Sequence, residues 1–292
     1  MNSLFRNISD TVFLEKQNLS KFMTIKLDFV GSLIICNTLV GLQKVVQITK
    51  EHNIKYRMIG LGANQVLTNS EILYIKLELP EIHSNDYCEN YTFSASTSIS
   101  KLTSLAIKFN LKGWEAFTGI PGTVGGSICM NAGTSLGEIG RLVEKVWILD
   151  SSGIVKTKVV DANDFTYRKN LFLKKDEIII KAQIKHFGTD EKVSQIIKKY
   201  LRLRNETQPL GTKNCGSVFK NPSIEQRAGM ILDQLGMKGF GSDKLHISHK
   251  HANFIEHEGG ATTEDFKNLV MNIKKEVKEK TGIEFELEVK LD

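Results

Sequence analysis

Cysteine is scarce in this chain: Cys36, Cys88, Cys129 and Cys215 are the four in 292 residues, and none forms a C-x-x-C pair. That scatter excludes a disulfide scaffold and the common zinc motifs, and it suits a reducing compartment. The N-terminus lacks the basic start, apolar run and small-residue cleavage site of a signal peptide. No apolar stretch is long enough to span a bilayer; the longest, Phe29 to Leu42, is broken by Asn37 and Thr38. A cytoplasmic protein without a membrane partner is expected. The net charge is +6, yet no basic block resembles a nucleic-acid arm, and Lys274, Lys275 and Lys278 read as the solvated face of a helix. Such an excess suits an anionic small molecule, and no nucleic-acid partner is expected. Repeats and low-complexity segments are absent. So is the G-x-G-x-x-G fingerprint of a dinucleotide fold, and no H-E-x-x-H spacing joins His246, His249, His251 or His257. Those histidines read as loop and packing residues, and no metal site is expected.

What is present is a mixture of helix and strand. Leu39, Leu42, Val45 and Val46 share a helical face that fades at His52-Asn53, and Tyr56 to Ile59 reads as a strand. Tyr91 to Ala95 reads as another strand, followed by a helix capped by Ser100 and stopped at Gly113. Val143 to Asp150, Ile154 to Val160 and Glu177 to His186 read as strands, with Ser151-Ser152-Gly153 as a turn. Lys192 to Leu203 is helical, and the main domain boundary is expected near its end. Beyond it, Ala228, Ile231, Leu232 and Leu235 form a helix stripe closed by Gly236. Thr262 and Asp265 form a capping box for a helix ending at Gly282, and Phe285 to Leu291 alternates like a final strand.

Two glycine-rich segments could approach a phosphate. Gly60-Leu61-Gly62-Ala63-Asn64 follows a strand, where glycines let backbone N–H groups come close to an anion; a plain turn reads equally. Gly119-Ile120-Pro121-Gly122-Thr123-Val124-Gly125-Gly126-Ser127, followed by Met130-Asn131-Ala132-Gly133, is more distinctive. Proline fixes φ there while the glycines permit close approach, and Ile120, Val124, Ile128 and Met130 suggest burial against a large apolar ligand such as a flavin. A surface loop is the plain alternative. Phe165-Thr166-Tyr167-Arg168 and Cys215-Gly216-Ser217-Val218-Phe219-Lys220-Asn221-Pro222 carry an arginine and a serine with no neighbouring His/Asp pattern of a hydrolase. Taken alone, these are a surface arginine and a turn serine.

In this order the segments resemble the MurB family, the UDP-N-acetylenolpyruvoylglucosamine reductases. The resemblance covers Gly60 to Leu67, Gly113 to Gly133, Phe165 to Phe172, Gln208 to Pro222, Ala228 to Gly239, Ser248 to Asp265 and the closing Phe285-Glu286-Leu287-Glu288-Val289. The spacing is similar to the compact, type II form. The resemblance implies an α+β fold: a two-part FAD-binding region of the vanillyl-alcohol-oxidase (PCMH) type, residues 1–75 and 76–203, followed by a smaller α/β substrate domain, 204–292. It implies FAD as cofactor, NADPH as electron donor, and a monomer acting on a UDP-sugar. Hydride passes from NADPH by way of FAD to an enolpyruvyl double bond, and a proton completes the lactyl ether. Matched residue by residue, Ser217 is the proton donor, and Arg168 and Glu288 bind and polarise the enolpyruvyl carboxylate. Tyr167 and Asn221 fall on the substrate side. Gly60, Gly62, Ala63 and Asn64, with Gly119, Ile120, Pro121, Gly122, Thr123, Gly125, Gly126, Asn131, Ala132 and Gly133, fall on the FAD loops. An arginine fork suits a carboxylate, and stabilising developing enolate charge is the kind of term that dominates catalysis. Lys220 is a candidate to stabilise the serine oxyanion.

The chain departs from the family at four places. Leu27-Asp28-Phe29-Val30-Gly31 stands where a Gly-Gly pair is usual, Ala63 replaces a serine, Asn170 stands for serine and Leu287 for proline. Two other readings follow: a flavin oxidoreductase on the same scaffold acting on another substrate, or a non-catalytic paralogue that binds a nucleotide-sugar. The intact Arg168, Ser217 and Glu288 argue for the reductase.

Overall fold

The computed structural model describes residues 2–82, 84–223 and 225–291. The chain divides into two compact units. The first is Met1–Glu15, Ser32–Gly60 and Ile72–Leu203; the second is Lys16–Gly31, Leu61–Glu71 and Arg204–Asp292. Two early segments, 16–31 and 61–71, therefore belong with the C-terminal part.

The first unit holds two four-stranded sheets. One is built from β1 (Thr11–Asn18), β2 (Val30–Cys36), β3 (Tyr56–Ile59) and β4 (Leu73–Leu77) in the order β1-β2-β4-β3. β2, β4 and β3 run parallel. Helix Leu39–Glu51 makes the crossover from β2 to β3, capped by the Thr38 hydroxyl, which accepts the Gly41 N–H at 3.1 Å. It buries Leu42, Val45 and Val46, the stripe expected from the sequence. β2 is buried on both faces, as a strand inside a covered parallel sheet must be, so its sequence reads as a continuous apolar run.

The second sheet is antiparallel, from β5 (Asn90–Ser94), β6 (Val143–Leu149), β7 (Val155–Val159) and β8 (Ile178–Lys185) in the order β7-β6-β8-β5. The β6–β7 turn is the one expected at 151–153. The Asp150 carboxylate accepts the Ser152 and Ile154 N–H groups at 2.8 and 3.1 Å and meets Lys156 at 2.6 Å. These contacts, Lys156 first, hold its carboxyl down at about 2. Trp114 anchors the core on one face of this sheet: its indole N–H donates to the Lys185 carbonyl at 2.7 Å, and its rings lie 5.0 Å from Tyr91 and 5.5 Å from Phe117. The helix after β5 spans Ile99–Phe109, and its cap is Ser98 where Ser100 was expected. The fully buried Ile99 already occupies its first turn, and Asn110, at φ 53°, ends it before Gly113.

In the second unit, helix Ala228–Gln234 and the hairpin strands Leu245–Ile247 and Ile255–His257 precede the long helix Thr263–Thr281. Both ends of that helix match the sequence reading. Thr262 and Asp265 form the reciprocal capping box, and Gly282 closes the helix at φ 73°. Buried His257 ties the early segment in: its Nδ1–H donates to the Ile25 carbonyl at 2.9 Å and its Nε2 accepts the Ala261 N–H at 3.1 Å. Phe285 to Leu291 is not one strand. Leu287 makes a single antiparallel bridge with Phe219, and only Lys290–Leu291 forms a strand, parallel to Gln65–Val66. The alternation was real, since Phe285 and Val289 are buried, and the Phe285 ring lies 5.0 Å from that of Phe219. Among the described residues no helix is long and apolar enough to cross a membrane.

Candidate functional site

The candidate residues fall into two groups, one on each unit. Gly60, the 119–133 segment, Tyr167 and Arg168 belong to the first; Gly62, Ala63, Asn64, Ser217, Asn221 and Glu288 belong to the second.

In the first unit the glycine-rich segment is wrapped onto the end of β5. The Val124 N–H donates to the Thr97 carbonyl at 2.8 Å and the Gly125 N–H to the Ala95 carbonyl at 2.9 Å. That contact requires glycine: a Cβ at 125 would sit 2.8 Å from the Ala95 Cβ. Thr123 caps the short helix Val124–Cys129 and lies against Gly60. Asn131 is buried at φ 44°, and its side chain is engaged wholly within the protein. Its amide N donates to Glu138 Oε2 at 2.9 Å and to the Thr166 carbonyl at 3.0 Å, while its oxygen accepts the Gly140 N–H at 3.0 Å. The Thr166 bond fixes the small hairpin Phe165–Thr166 with Lys169–Asn170. Asn170, the departure from serine, adds a second tie: its amide donates to the Cys129 carbonyl at 2.8 Å and its oxygen accepts the Leu173 N–H at 2.9 Å. At the hairpin tip sits Arg168, in the left-handed region at φ 58°. A non-glycine residue held there marks a position the surroundings over-determine, a pattern concentrated at functional sites. Its guanidinium donates to the Gly133 carbonyl at 3.4 Å and stacks 4.9 Å from the half-exposed Tyr167 ring.

In the second unit the segments that carry the two catalytic candidates are joined by backbone hydrogen bonds. The Glu288 N–H donates to the Val218 carbonyl at 2.8 Å, and the Lys220 N–H donates to the Glu286 carbonyl at 2.9 Å. These bonds leave the Leu287 N–H unused, so leucine replaces the family's proline without a change in pairing. Asn64 clasps the same strand: its amide donates to the Glu288 carbonyl at 3.1 Å, and its own carbonyl accepts the Lys290 N–H at 3.0 Å. Ser217 and Glu288 are both half-buried, and the Ser217 hydroxyl has no hydrogen-bond partner among the described residues. Lys220 does not serve Ser217 here. Its ammonium is paired with Glu286 at 2.9 Å, which holds the exposed Glu286 carboxyl below its usual range. Asn221 uses its side-chain oxygen to accept the Ala228 N–H at 3.1 Å, at the start of the next helix. Gly62 is irreplaceable on backbone grounds, with φ 65° and the Phe22 carbonyl oxygen 2.0 Å from where a Cβ would stand.

Backbone donors stand ready for an anion in both groups. The N–H groups of Leu61, Gly62 and Ala63 in the second unit, and of Gly122 and Thr123 in the first, find no acceptor among the described residues. Thr97, which touches the glycine-rich segment through its carbonyl, has a buried hydroxyl with no partner among the described residues. Runs of unpaired N–H groups are a concave site for phosphate, and an orphaned buried hydroxyl is costly unless a ligand meets it. The residues present fit a flavin dinucleotide.

Comparison with known proteins agrees. Residues 32–158 match the family model described as FAD binding domain, and residues 208–291 match that of the UDP-N-acetylenolpyruvoylglucosamine reductase C-terminal domain. The UDP-N-acetylenolpyruvoylglucosamine reductase of Anoxybacillus flavithermus is 32% identical over 95% of this chain and 93% of its own length. That of Thermotoga sp. is 33% identical over 99% and 96%. The chain belongs to the UDP-N-acetylenolpyruvoylglucosamine reductase family. The crystal structure of the Thermus caldophilus reductase superimposes with a TM-score of 0.78 at 26% identity, covering 96% of this chain and 98% of that one. The fold of this reductase-family chain is thus a FAD-binding part ahead of a smaller C-terminal α/β part.

Sequence reasoning missed two polar residues. Thr97 lies in Ser94-Ala95-Ser96-Thr97-Ser98, where five small residues after a strand were the available signal. Asn253 lies in His251-Ala252-Asn253-Phe254; an asparagine between apolar residues in a segment resembling the family was the signal there.

Proposed function

We propose that this protein is the FAD-dependent reductase that converts UDP-N-acetylglucosamine enolpyruvate to UDP-N-acetylmuramate for peptidoglycan, with NADPH as electron donor. It works in the cytoplasm as a monomer, without a nucleic-acid partner. The observation that carries the reading is the Glu288–Val218 backbone bond, which brings a serine and a glutamate, distant in sequence, onto adjoining segments of the second unit. FAD, when bound, supplies hydride transfer between the nicotinamide and the enolpyruvyl carbon. Residues 1–75 and 76–203 are the two FAD-binding parts, and 204–292 the substrate domain. Each unit by itself offers donors that would serve a cofactor phosphate: the N–H groups of Gly122 and Thr123 in the first, and those of Leu61–Ala63 in the second. Arg168 binds the enolpyruvyl carboxylate, aimed by its tie to Gly133. Glu288 polarises the enolate as its charge develops, and Ser217, its hydroxyl uncommitted, delivers the proton. Tyr167 and Asn221 flank the sugar nucleotide.

Anaerobic mixing tests the reading. NADPH should bleach the flavin absorbance, and the enolpyruvyl UDP-sugar should restore it with one equivalent of UDP-N-acetylmuramate formed. Bleaching without restoration would mean a flavoenzyme for another substrate; neither change would leave a non-catalytic paralogue.

A further inference from the structure

Asn253 is 5% exposed and lies in the loop between the strands Leu245–Ile247 and Ile255–His257. Its side-chain oxygen accepts the Phe219 N–H at 2.9 Å, and its side-chain amide donates to the Phe219 carbonyl at 2.8 Å. Its main-chain carbonyl accepts the Val218 N–H at 2.9 Å. One residue thus supplies three hydrogen bonds to the two residues that follow Ser217. A primary amide that accepts from the N–H and donates to the carbonyl of one residue imitates the pairing of a neighbouring strand, so the Val218–Phe219 segment is held as if inside a sheet. The other bonds to this segment come from the Glu288 and Val289 N–H groups, which donate to the Val218 carbonyl at 2.8 and 3.3 Å. The Ser217 hydroxyl itself takes no hydrogen bond among the described residues, so its position depends on the backbone beside it.

We infer that Asn253 is a positioning residue for the proton-delivery step: its buried amide fixes the Val218–Phe219 peptide and thereby the place of the Ser217 hydroxyl. The inference rests on the proposed role of Ser217. Both halves of the amide are required. Asn253→Asp keeps the oxygen that accepts the Phe219 N–H, but an ionised carboxylate cannot donate to the Phe219 carbonyl and repels it. A protonated carboxyl can donate again.

The test separates the two half-reactions by rapid mixing of FAD-loaded protein, in wild type, Asn253→Asp, Asn253→Ala and Ser217→Ala. With NADPH alone, the Asn253 variants should reduce FAD within about two-fold of wild type, because no proton from Ser217 enters that step. With the enolpyruvyl UDP-sugar, they should be slowed about 10- to 100-fold, the scale expected of a small misplacement of a reacting group. The loss should appear in kcat with little change in KM, since the effect lies in the transition state. The Asn253→Asp defect should shrink as pH falls through the carboxyl range, against a wild-type profile without that recovery. Equal slowing of both half-reactions, or an Asn253→Asp defect indifferent to pH, would overturn the inference. Ser217→Ala keeps the two ideas apart: if it leaves the second half-reaction unchanged, the serine assignment falls; if it slows that step while the Asn253 variants do not, only the positioning role falls.

Discussion

Asn131 commits two N–H donors and its carbonyl oxygen to Glu138, Thr166 and Gly140. The sequence suggests a cofactor contact; the structure shows its side chain mounting the hairpin that carries Arg168 at its tip. Asn131→Ala strands the buried Gly140 N–H, and each such orphan costs about 1–3 kcal/mol. A loss of that order in a urea titration is expected, with slower turnover on the enolpyruvyl substrate. For Ser217→Ala the expectation is the reverse: stability close to wild type, and a second half-reaction slowed by roughly 10²–10⁴-fold, the range of general acid catalysis. At Ala63 the family's serine is missing, yet the backbone donors of Leu61–Ala63 remain. Ala63→Ser should tighten FAD by about one to two decades if the hydroxyl reaches a phosphate, since a bond to a charged group contributes about 1.5–3 kcal/mol. An unchanged dissociation constant by fluorescence titration would show that the main chain alone suffices.

Among the elements, the helix Thr263–Thr281 was the most legible. Its stripe, capping box and terminal glycine all point to one answer, and the structure uses every one of them. Thr262→Ala should cost about 0.5–2 kcal/mol in thermal or chemical unfolding. Strand Tyr56–Ile59 and the antiparallel strands from Val143 to Lys185 were legible for the same reason, local pattern agreeing with tertiary burial. Thr11–Asn18 was not, because it half-buries Phe13, Leu14 and Glu15 in succession and exposes Lys16, Gln17 and Asn18, leaving no clean alternation. Phe285 to Leu291 misled in the other direction: burial alternates, but its partners are an isolated bridge and a two-residue ladder, and both lie far off in sequence. The same distance hid Asn253, whose partners at 218 and 219 no local pattern reveals. Beside it, burial lowers the pKa of His251, whose Nδ1 accepts the Asn253 N–H at 3.2 Å. The sign follows. The unfolded state binds more protons in the window just below 6.5, so this contribution to stability is present above that window and is lost as pH falls through it. Melting curves from pH 8 to 5 should show that decline, and His251→Asn, which offers a non-titrating acceptor, should flatten it.

At the scale of the whole molecule, a ligand that binds only the folded state must stabilise it. Free FAD at 100 times its dissociation constant contributes about 2.7 kcal/mol, and a shift of several degrees in melting temperature is expected on titration of apoprotein. The net charge of +6 adds a kinetic signature. Anionic substrate and NADPH are drawn to a basic molecule, and salt screens that attraction. Second-order rate constants should fall as ionic strength rises from 0.01 to 0.5 M, while the flavin spectrum of the loaded protein stays unchanged. If the rates ignore salt, the charge serves solubility and not encounter.

The second unit also has a history imposed by the ribosome. Its earliest segments, Lys16–Gly31 and Leu61–Glu71, are made first, but the residues they pack with begin at Arg204. Gln65–Val66 must wait for Lys290–Leu291, which are made far later. At about 5–20 residues per second, that interval lasts roughly ten seconds or more. Through it, the stretch that will carry Gly62, Ala63 and Asn64 stands as an open edge on the nascent chain, a natural client for a chaperone. A message cut short before codon 288 would release a product that never closes that edge and lacks Glu288. Quality control on such fragments would then depend on the unpaired strand at 65–66, and not on any lesion at the point of truncation.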